Sequence, residues 1–281
     1  MKRPSRANTR LRPRPSGKGR ARSKRIAALV LGDYKNITRD PMLIMMSFAP
    51  LLIILLVRTV LPDLTAFLRE DLGFNLFPYY SFIAGFLTLI TPMLFGTVMG
   101  FVLLDERDEG ILTYISVTPL RKRGFLLYRL FLPVIFSVLC SLLFLGTTLL
   151  IPFSFCWLLP ITVVASLEAP MLTLFLAAFA DNKVEGLALA KGMGILYIAP
   201  FIGRFVESNW QLLAGISPPY WITKAVEAFW AGATSGINTN SGTMTASCQD
   251  PVSFWFYITG GLIVHLVVIC LLVKRFEQKT A

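Results

Sequence analysis

The residues of this chain that could do chemistry are few, and most conventional arrangements of them are absent. There is one histidine, His265, in an apolar helical run where such a residue is usually packed and hydrogen-bonded. Four cysteines, Cys140, Cys156, Cys248 and Cys270, show no metal-ligand spacing. Cys140 and Cys270 fall inside apolar runs, and their spacing leaves a Cys156–Cys248 disulfide open without demanding it. No Ser/His/Asp set is present, and a single histidine excludes most His-based general-base schemes. The only Gly-Lys pair, Gly17–Lys18, is followed by glycine, so no G-x-x-x-x-G-K-[ST] phosphate loop occurs. The chain cannot power itself with ATP. Two acidic features remain. Glu168 lies in VVASLEAPMLT, in the middle of an apolar run, where a carboxylate costs about 2.5–3.5 kcal/mol on insertion into a bilayer. It must face protein or water. It serves either as a contact for a cationic or amphipathic substrate or as a polar link to another span, and Pro170 frees a carbonyl for a protonated Glu168 to bond. The second feature is the cluster DERDEG at 105–110, flanked by long apolar runs and followed by Arg121, Lys122 and Arg123.

The elements that position these residues are membrane helices. Of 281 residues, 55% are hydrophobic and only 15% charged, with a mean hydropathy of +0.65, against roughly a quarter charged in a soluble domain. Apolar runs long enough to cross a bilayer recur. They predict an all-α integral membrane protein with six spans, at 42–61, 78–104, 125–151, 154–180, 186–204 and 253–273. Before them, RIAALVLGDYKNITRDP predicts a helix in the membrane interface over 26–41, with Asp33, Lys35 and Arg39 away from its apolar side.

Met1 to Arg25 holds 11 Lys or Arg and no acid, while the remaining 16 basic residues offset the 16 acidic ones. This 1–25 tail is expected to be disordered and cytoplasmic. It is either a solvated segment that helps fix orientation or an anchor on anionic lipid, and an organellar transit peptide has the same composition. With the N-terminus inside, 23 of the 27 Lys and Arg face the cytoplasm; Arg58, Arg69, Arg204 and Lys224 lie outside. The positive-inside rule then places both termini and the DERDEG segment in the cytoplasm.

Pro50, Pro92, Pro133 and Pro170 fall inside spans, in keeping with a kinked bundle or with a pathway. Gly96 and Gly100 have the spacing of close helix contacts. The outer segment 205–252, containing ISPPYWITKAVEAFW, predicts short helices that dip into the outer leaflet and return, with Pro218 and Pro219 as breakers. An ordinary outer loop with an aromatic belt is the alternative.

The stretch from Asp105 has the marks of a short amphipathic helix lying across the inner surface. Four carboxylates in its first turns would complement the positive helix N-terminus, Ile111, Leu112 and Ile115 form a stripe, and Thr118–Pro119 ends it. A solvated loop with one helical turn reads equally well from periodicity alone.

The run ERDEGILTYISVTPLRKRGFLLYRL resembles the signature E-x-E-x-G-[TI]-L-x-x-L-x-x-[ST]-P of the type-2 class of ABC exporter permeases. Glu106, Gly110, Leu112, Thr118 and Pro119 match; Asp108 stands for the second Glu and Ile115 for a Leu. NITRDP looks like that family's interfacial connecting helix. DNKVEGLALAK at 181–191 and SPPYW resemble its drug and antibiotic exporters, the fluoroquinolone type included. The resemblance covers most of residues 26–279.

It implies a six-span permease domain over 42–281 that pairs as a homodimer or heterodimer in the cell membrane. Each permease docks a separate soluble ATP-binding cassette ATPase. ATP and magnesium would be bound by that partner, with no cofactor, metal or nucleic acid on this chain and no catalytic residue. The coupling segment, 105–120, would carry Asp105, Glu106, Asp108, Gly110, Leu112, Thr118 and Pro119 to the ATPase. The second and fifth spans would line the pathway for a hydrophobic or amphipathic small molecule. Export of a lipid-linked glycan or a peptide is the alternative within the family. Outside it, an ion- or proton-coupled carrier would use Glu168, although no inverted repeat accompanies it, and a lipid-modifying enzyme lacks a catalytic constellation.

Overall fold

The computed structural model describes residues 31, 32, 35, 37–111, 121–147, 155–206, 208, 211–235 and 250–280. Among them the secondary structure is helical, without strands. The helices are α1 (Pro41–Asp71), α2 (Tyr80–Asp108), α3 (Arg121–Thr147), α4 (Phe155–Ser166), α5 (Glu168–Phe179), α6 (Lys183–Gly192), α7 (Ala199–Phe205), α8 (Gln211–Ala214), α9 (Pro218–Ser235) and α10 (Pro251–Thr280). A single 3-10 turn, Phe77–Tyr79, precedes α2, and a six-residue 3-10 stretch, Met193–Ile198, joins α6 to α7.

Among the described residues, six stretches are long and apolar enough to cross a membrane: Pro41–Asp71, Phe77–Asp108, Gly124–Thr147, Phe155–Phe179, Lys183–Phe205 and Pro251–Lys279. The first corrects the sequence reading. Its helix runs about ten residues beyond Leu61, through Pro62 and the charged stretch to Asp71. At 1.5 Å per residue, 31 residues exceed a hydrocarbon core of about 30 Å, so charged residues at the end of the helix need not lie in lipid.

Local signals fix the helix starts. Asp40 accepts from the Met42 amide at 2.9 Å, with Pro41 at the first helical position of α1. Asn182 accepts from the Glu185 amide at 3.0 Å, and Glu185 reaches back to the Asp181 amide at 2.7 Å. Asp250 accepts from the Ser253 amide at 3.1 Å at the head of α10. Pro218 and Pro219 open α9 rather than break a helix, because a proline's missing N–H has no intrahelical partner in a first turn anyway.

The bundle has an inner and an outer layer. In the most apolar windows of the second and fourth spans, 72% and 83% of residues are buried, against 17% and 22% in the first and sixth. The outer helices present Met45, Phe48, Leu52, Leu55 and Ile263 outward, which suits lipid as the surrounding solvent. Helix α2 is central and packs against α1, α3, α5, α6 and α9. Its closest approach is to α5. A Cβ on Gly96 would fall 2.5 Å from the Ala169 carbonyl oxygen, and one on Gly100 would fall 2.6 Å from Leu176 Cδ1. Thr173 Oγ1 then donates to the Gly96 carbonyl at 2.9 Å. The small-residue pair is therefore used inside the chain, where packing and a hydrogen bond replace the hydrophobic effect that lipid cannot supply.

Candidate functional site

One end of the bundle ties together acids and bases from several helices. Asp105, Glu106, Arg107 and Asp108 form the last turn of α2, and Glu109 caps it. The sequence reading put these carboxylates at the start of a separate short helix, and the structure corrects it. They stand at a helix C-terminus, where the dipole disfavours negative charge, so cations from other elements must compensate.

Those cations are present. Arg129 of α3 donates from Nε to Glu106 Oε2 at 2.9 Å and from Nη2 to Oε1, a two-pronged pair in which both side chains are almost wholly buried. Its guanidinium also lies 5.1 Å from the Phe125 ring centroid. Lys183, at the head of α6, bridges Asp40 Oδ2 at 2.6 Å and Asp105 Oδ2 at 3.0 Å. Arg107 donates to the Ala180 and Ala177 carbonyls at 2.7 and 3.3 Å. Lys279 of α10 donates to the Ala180 carbonyl at 2.8 Å and pairs with Asp181 at 2.6 Å. The Lys183 hydrogen bond holds the Asp40 carboxyl below the usual carboxylate range, and Lys279 does the same for Asp181. Five separate parts of the chain, at Asp40, 105–107, Arg129, 180–183 and Lys279, are thus tied into one clasp.

Asp108 and Glu109 are the exposed members of the acidic cluster. Gly110 follows with φ +71, its amide bonded to the Arg107 carbonyl at 3.0 Å. This is the left-handed residue that commonly ends a helix. A Cβ there would meet nothing within 4 Å, so glycine is required by backbone conformation and not by space. Leu112, Thr118 and Pro119 lie outside the described residues, as do the basic tail and Cys248. Arg129 was not singled out from the sequence, although a lone arginine in an apolar span was signal enough. Lys183 and Asp40 carried no such signal.

The second polar site is in the middle of the bundle. The fourth span breaks at Leu167 between α4 and α5, which places Glu168 in the first turn of α5. Its carboxyl is fully buried. The Tyr197 hydroxyl donates to Glu168 Oε2 at 3.3 Å, and His265 Nε2 stands 3.5 Å from Oε1. His265 Nδ1 is 2.7 Å from the Gly261 carbonyl. The fourth, fifth and sixth spans therefore meet at one polar point. Tyr197 and His265 take the part that the sequence reading gave to a carbonyl freed by Pro170. The packed, hydrogen-bonded reading of His265 agrees with this geometry.

Six apolar spans around a buried polar point define a multi-pass membrane protein. A family model described as fluoroquinolones export permease protein Rv2686c-like matches residues 33–273, and the chain belongs to that family. Two similar relatives are the fluoroquinolones export permease proteins MT2760 and Rv2686c of Mycobacterium tuberculosis, strains CDC 1551 / Oshkosh and ATCC 25618 / H37Rv. Each is 31% identical over 259 residues, which is 91% of this chain and 95% of the relative. No solved structure matches.

Proposed function

We propose that this chain is the membrane subunit of an ATP-binding cassette exporter that moves amphipathic, drug-like molecules, fluoroquinolones among them, out across the cytoplasmic membrane. A separate ATPase binds ATP and magnesium and does the hydrolysis. The permease works as a pair, with both termini in the cytoplasm. Family membership and the names of the relatives support the substrate class.

The observation that carries the coupling role is the position of the acidic tip. Asp108 and Glu109 project from the end of α2, the central helix of the bundle. A push on this tip reaches the inner layer directly through Gly96, Gly100 and the Glu106–Arg129 pair. Asp108 and Glu109 are then the charges offered to the ATPase, with Gly110 turning the chain toward the coupling segment that includes Leu112, Thr118 and Pro119. Glu106 and Asp105 act from behind, by fixing where the tip stands.

At the opposite end, the second and fifth spans meet through edge-to-face contacts of Phe82 and Phe86 with Phe201, at 5.0 and 5.1 Å. This aromatic wall suits planar cargo and the role of these two spans as pathway lining. Helices α8 and α9 are read as a re-entrant hairpin, because Trp221 of α9 packs on Gly260 and Gly261, well inside α10.

The test is purification of the tagged chain from native membranes in mild detergent, with mass spectrometry of co-purifying proteins. An ATPase with a phosphate loop is expected, and Asp108→Lys with Glu109→Lys should release it while leaving the permease folded. Recovery of the permease alone, with drug uptake driven by a proton gradient in liposomes, would replace the exporter reading by a proton-coupled carrier.

A further inference from the structure

A cavity of about 500 Å³ lies beside the buried polar point, bounded by α5, α6, the 3-10 turn after it, the Ile216–Pro218 strap and α10. Its volume is within the range of about 300–1,000 Å³ typical of small-molecule sites. Its walls are apolar and include Met171 and Met193, side chains that adapt to irregular ligands. The wall residues Met171, Leu196 and Val268 stand three, one and three positions from Glu168, Tyr197 and His265 respectively. None of these three polar side chains lines the cavity; they are buried behind its wall, within about a turn of it along the chain. Along α5 and α10, the cavity lies on the side nearer the charged clasp.

We propose that this chamber binds the apolar body of a small amphipathic amine and that Glu168 meets its ammonium group. The proposal rests on the drug-export reading and adds to it where the cargo is held. Two observations support a cationic end group. The first is the state of the carboxyl: Glu168 Oε1 and His265 Nε2 are both fully buried and have no hydrogen-bond partner, only each other at 3.5 Å. A carbonyl only accepts, so His265 Nδ1 is the donor to Gly261, and Nε2 is left facing Glu168 Oε1. The Tyr197 hydroxyl is the third group at the site, bonded to Oε2. An ammonium arriving from the chamber supplies the N–H donor that Glu168 Oε1 lacks.

The second observation is the wall itself. Met193–Ile198 is a six-residue 3-10 stretch inside the fifth span, longer than such stretches usually run and of the kind that marks a hinge. A Cβ on Gly192 or Gly194 would meet nothing within 4 Å. A movement of this stretch would carry together Leu196, which lines the cavity, and Tyr197, which bonds Glu168. A lipid chain would fill the same chamber but would make no use of a buried carboxyl.

The experiment measures binding of a fluoroquinolone bearing a free piperazine amine, followed by its own fluorescence, to the full chain in nanodiscs. The N-acetylated counterpart, which lacks the cation, is measured alongside. Wild type should bind the amine at least tenfold more tightly. Glu168→Gln should erase that preference, and Gly192→Phe should weaken both ligands tenfold or more. If Gly192→Phe does not give a folded protein by thermal unfolding, Ile195→Trp, from a wall residue that is 71% exposed, fills the chamber instead. Equal wild-type affinities for the two ligands would overturn the proposal. So would filled chambers that bind as wild type does, or a phospholipid held by wild type but not by Gly192→Phe that the amine fails to displace. If cells carrying the chain and its ATPase still export the drug while these variants change nothing, drug export stands and the chamber assignment falls. A wild type that neither binds nor exports removes both.

Discussion

The clasp at the end of the bundle and the polar point at its centre are both built from acids facing bases, yet they differ in how much depends on each group. The clasp is spread over five parts of the chain, and most of its members retain contact with water; Lys183, Asp40 and Asp105 side chains are 35%, 27% and 34% exposed. The central point has three groups, all buried, and no spare partner. Exposure makes single contacts weak and replaceable, whereas burial makes each of them decisive. The Glu106–Arg129 pair belongs to the clasp by position and to the buried class by physics.

The largest effect should follow from splitting that pair. Arg129→Met leaves Glu106 charged and unpaired in a buried place, which costs about 3–5 kcal/mol, while exchanging both partners for apolar residues of similar size is often close to neutral. Thermal unfolding of Arg129→Met, Glu106→Met and the double variant should therefore show two strongly destabilised singles and a double that recovers most of the loss. Additive losses would mean that the pair is not the unit that matters.

Next comes the α2–α5 seam that connects the two regions. Gly96→Val puts atoms into the Ala169 backbone, which cannot yield as a flexible side chain would. Overpacking of this kind costs about 1–3 kcal/mol. The expected signature is reduced stability with loss of transport, while the proposed ATPase partner still co-purifies. Unchanged transport would mean that the seam does not relay motion.

At the centre, Glu168→Ala leaves the Tyr197 hydroxyl without its acceptor, a loss of about 1–3 kcal/mol. Glu168→Gln retains an acceptor and should cost much less. Comparable losses for the two variants in an unfolding assay would show that shape rather than hydrogen bonding holds the three spans together.

What the sequence made legible follows the same division. Six spans, Glu168 and the acidic cluster stand out because charge and apolar length are local properties. The partners do not. Lys183 reaches Asp105 across 78 positions, and Arg129 reaches Glu106 across 23. Without those partners, an acidic run beside apolar sequence reads naturally as a helix start, where carboxylates are favoured, and its true place at the end of α2 is hidden. Likewise Glu168 and His265 were each visible, but no spacing announces that a break at Leu167 turns one toward the other. The long first helix was missed for the converse reason: Asp63, Arg69, Glu70 and Asp71 look like loop, yet a helix that has left the hydrocarbon tolerates them.

The smallest effect belongs to Lys183, and it has a definite sign. Its two ion pairs are partly exposed, and pairs of this kind contribute about 0–1 kcal/mol. Asp40 has its folded pKa lowered, first by the Lys183 hydrogen bond. Its contribution is therefore fully present above the unfolded carboxylate value of about 3.9 and is lost as pH falls through the lower folded value. The stability difference between wild type and Lys183→Ala should stay flat from about pH 5 to 8, shrink only below about pH 4, and diminish with added salt. A difference that changes between pH 5 and 8 would instead point to a group titrating near neutrality.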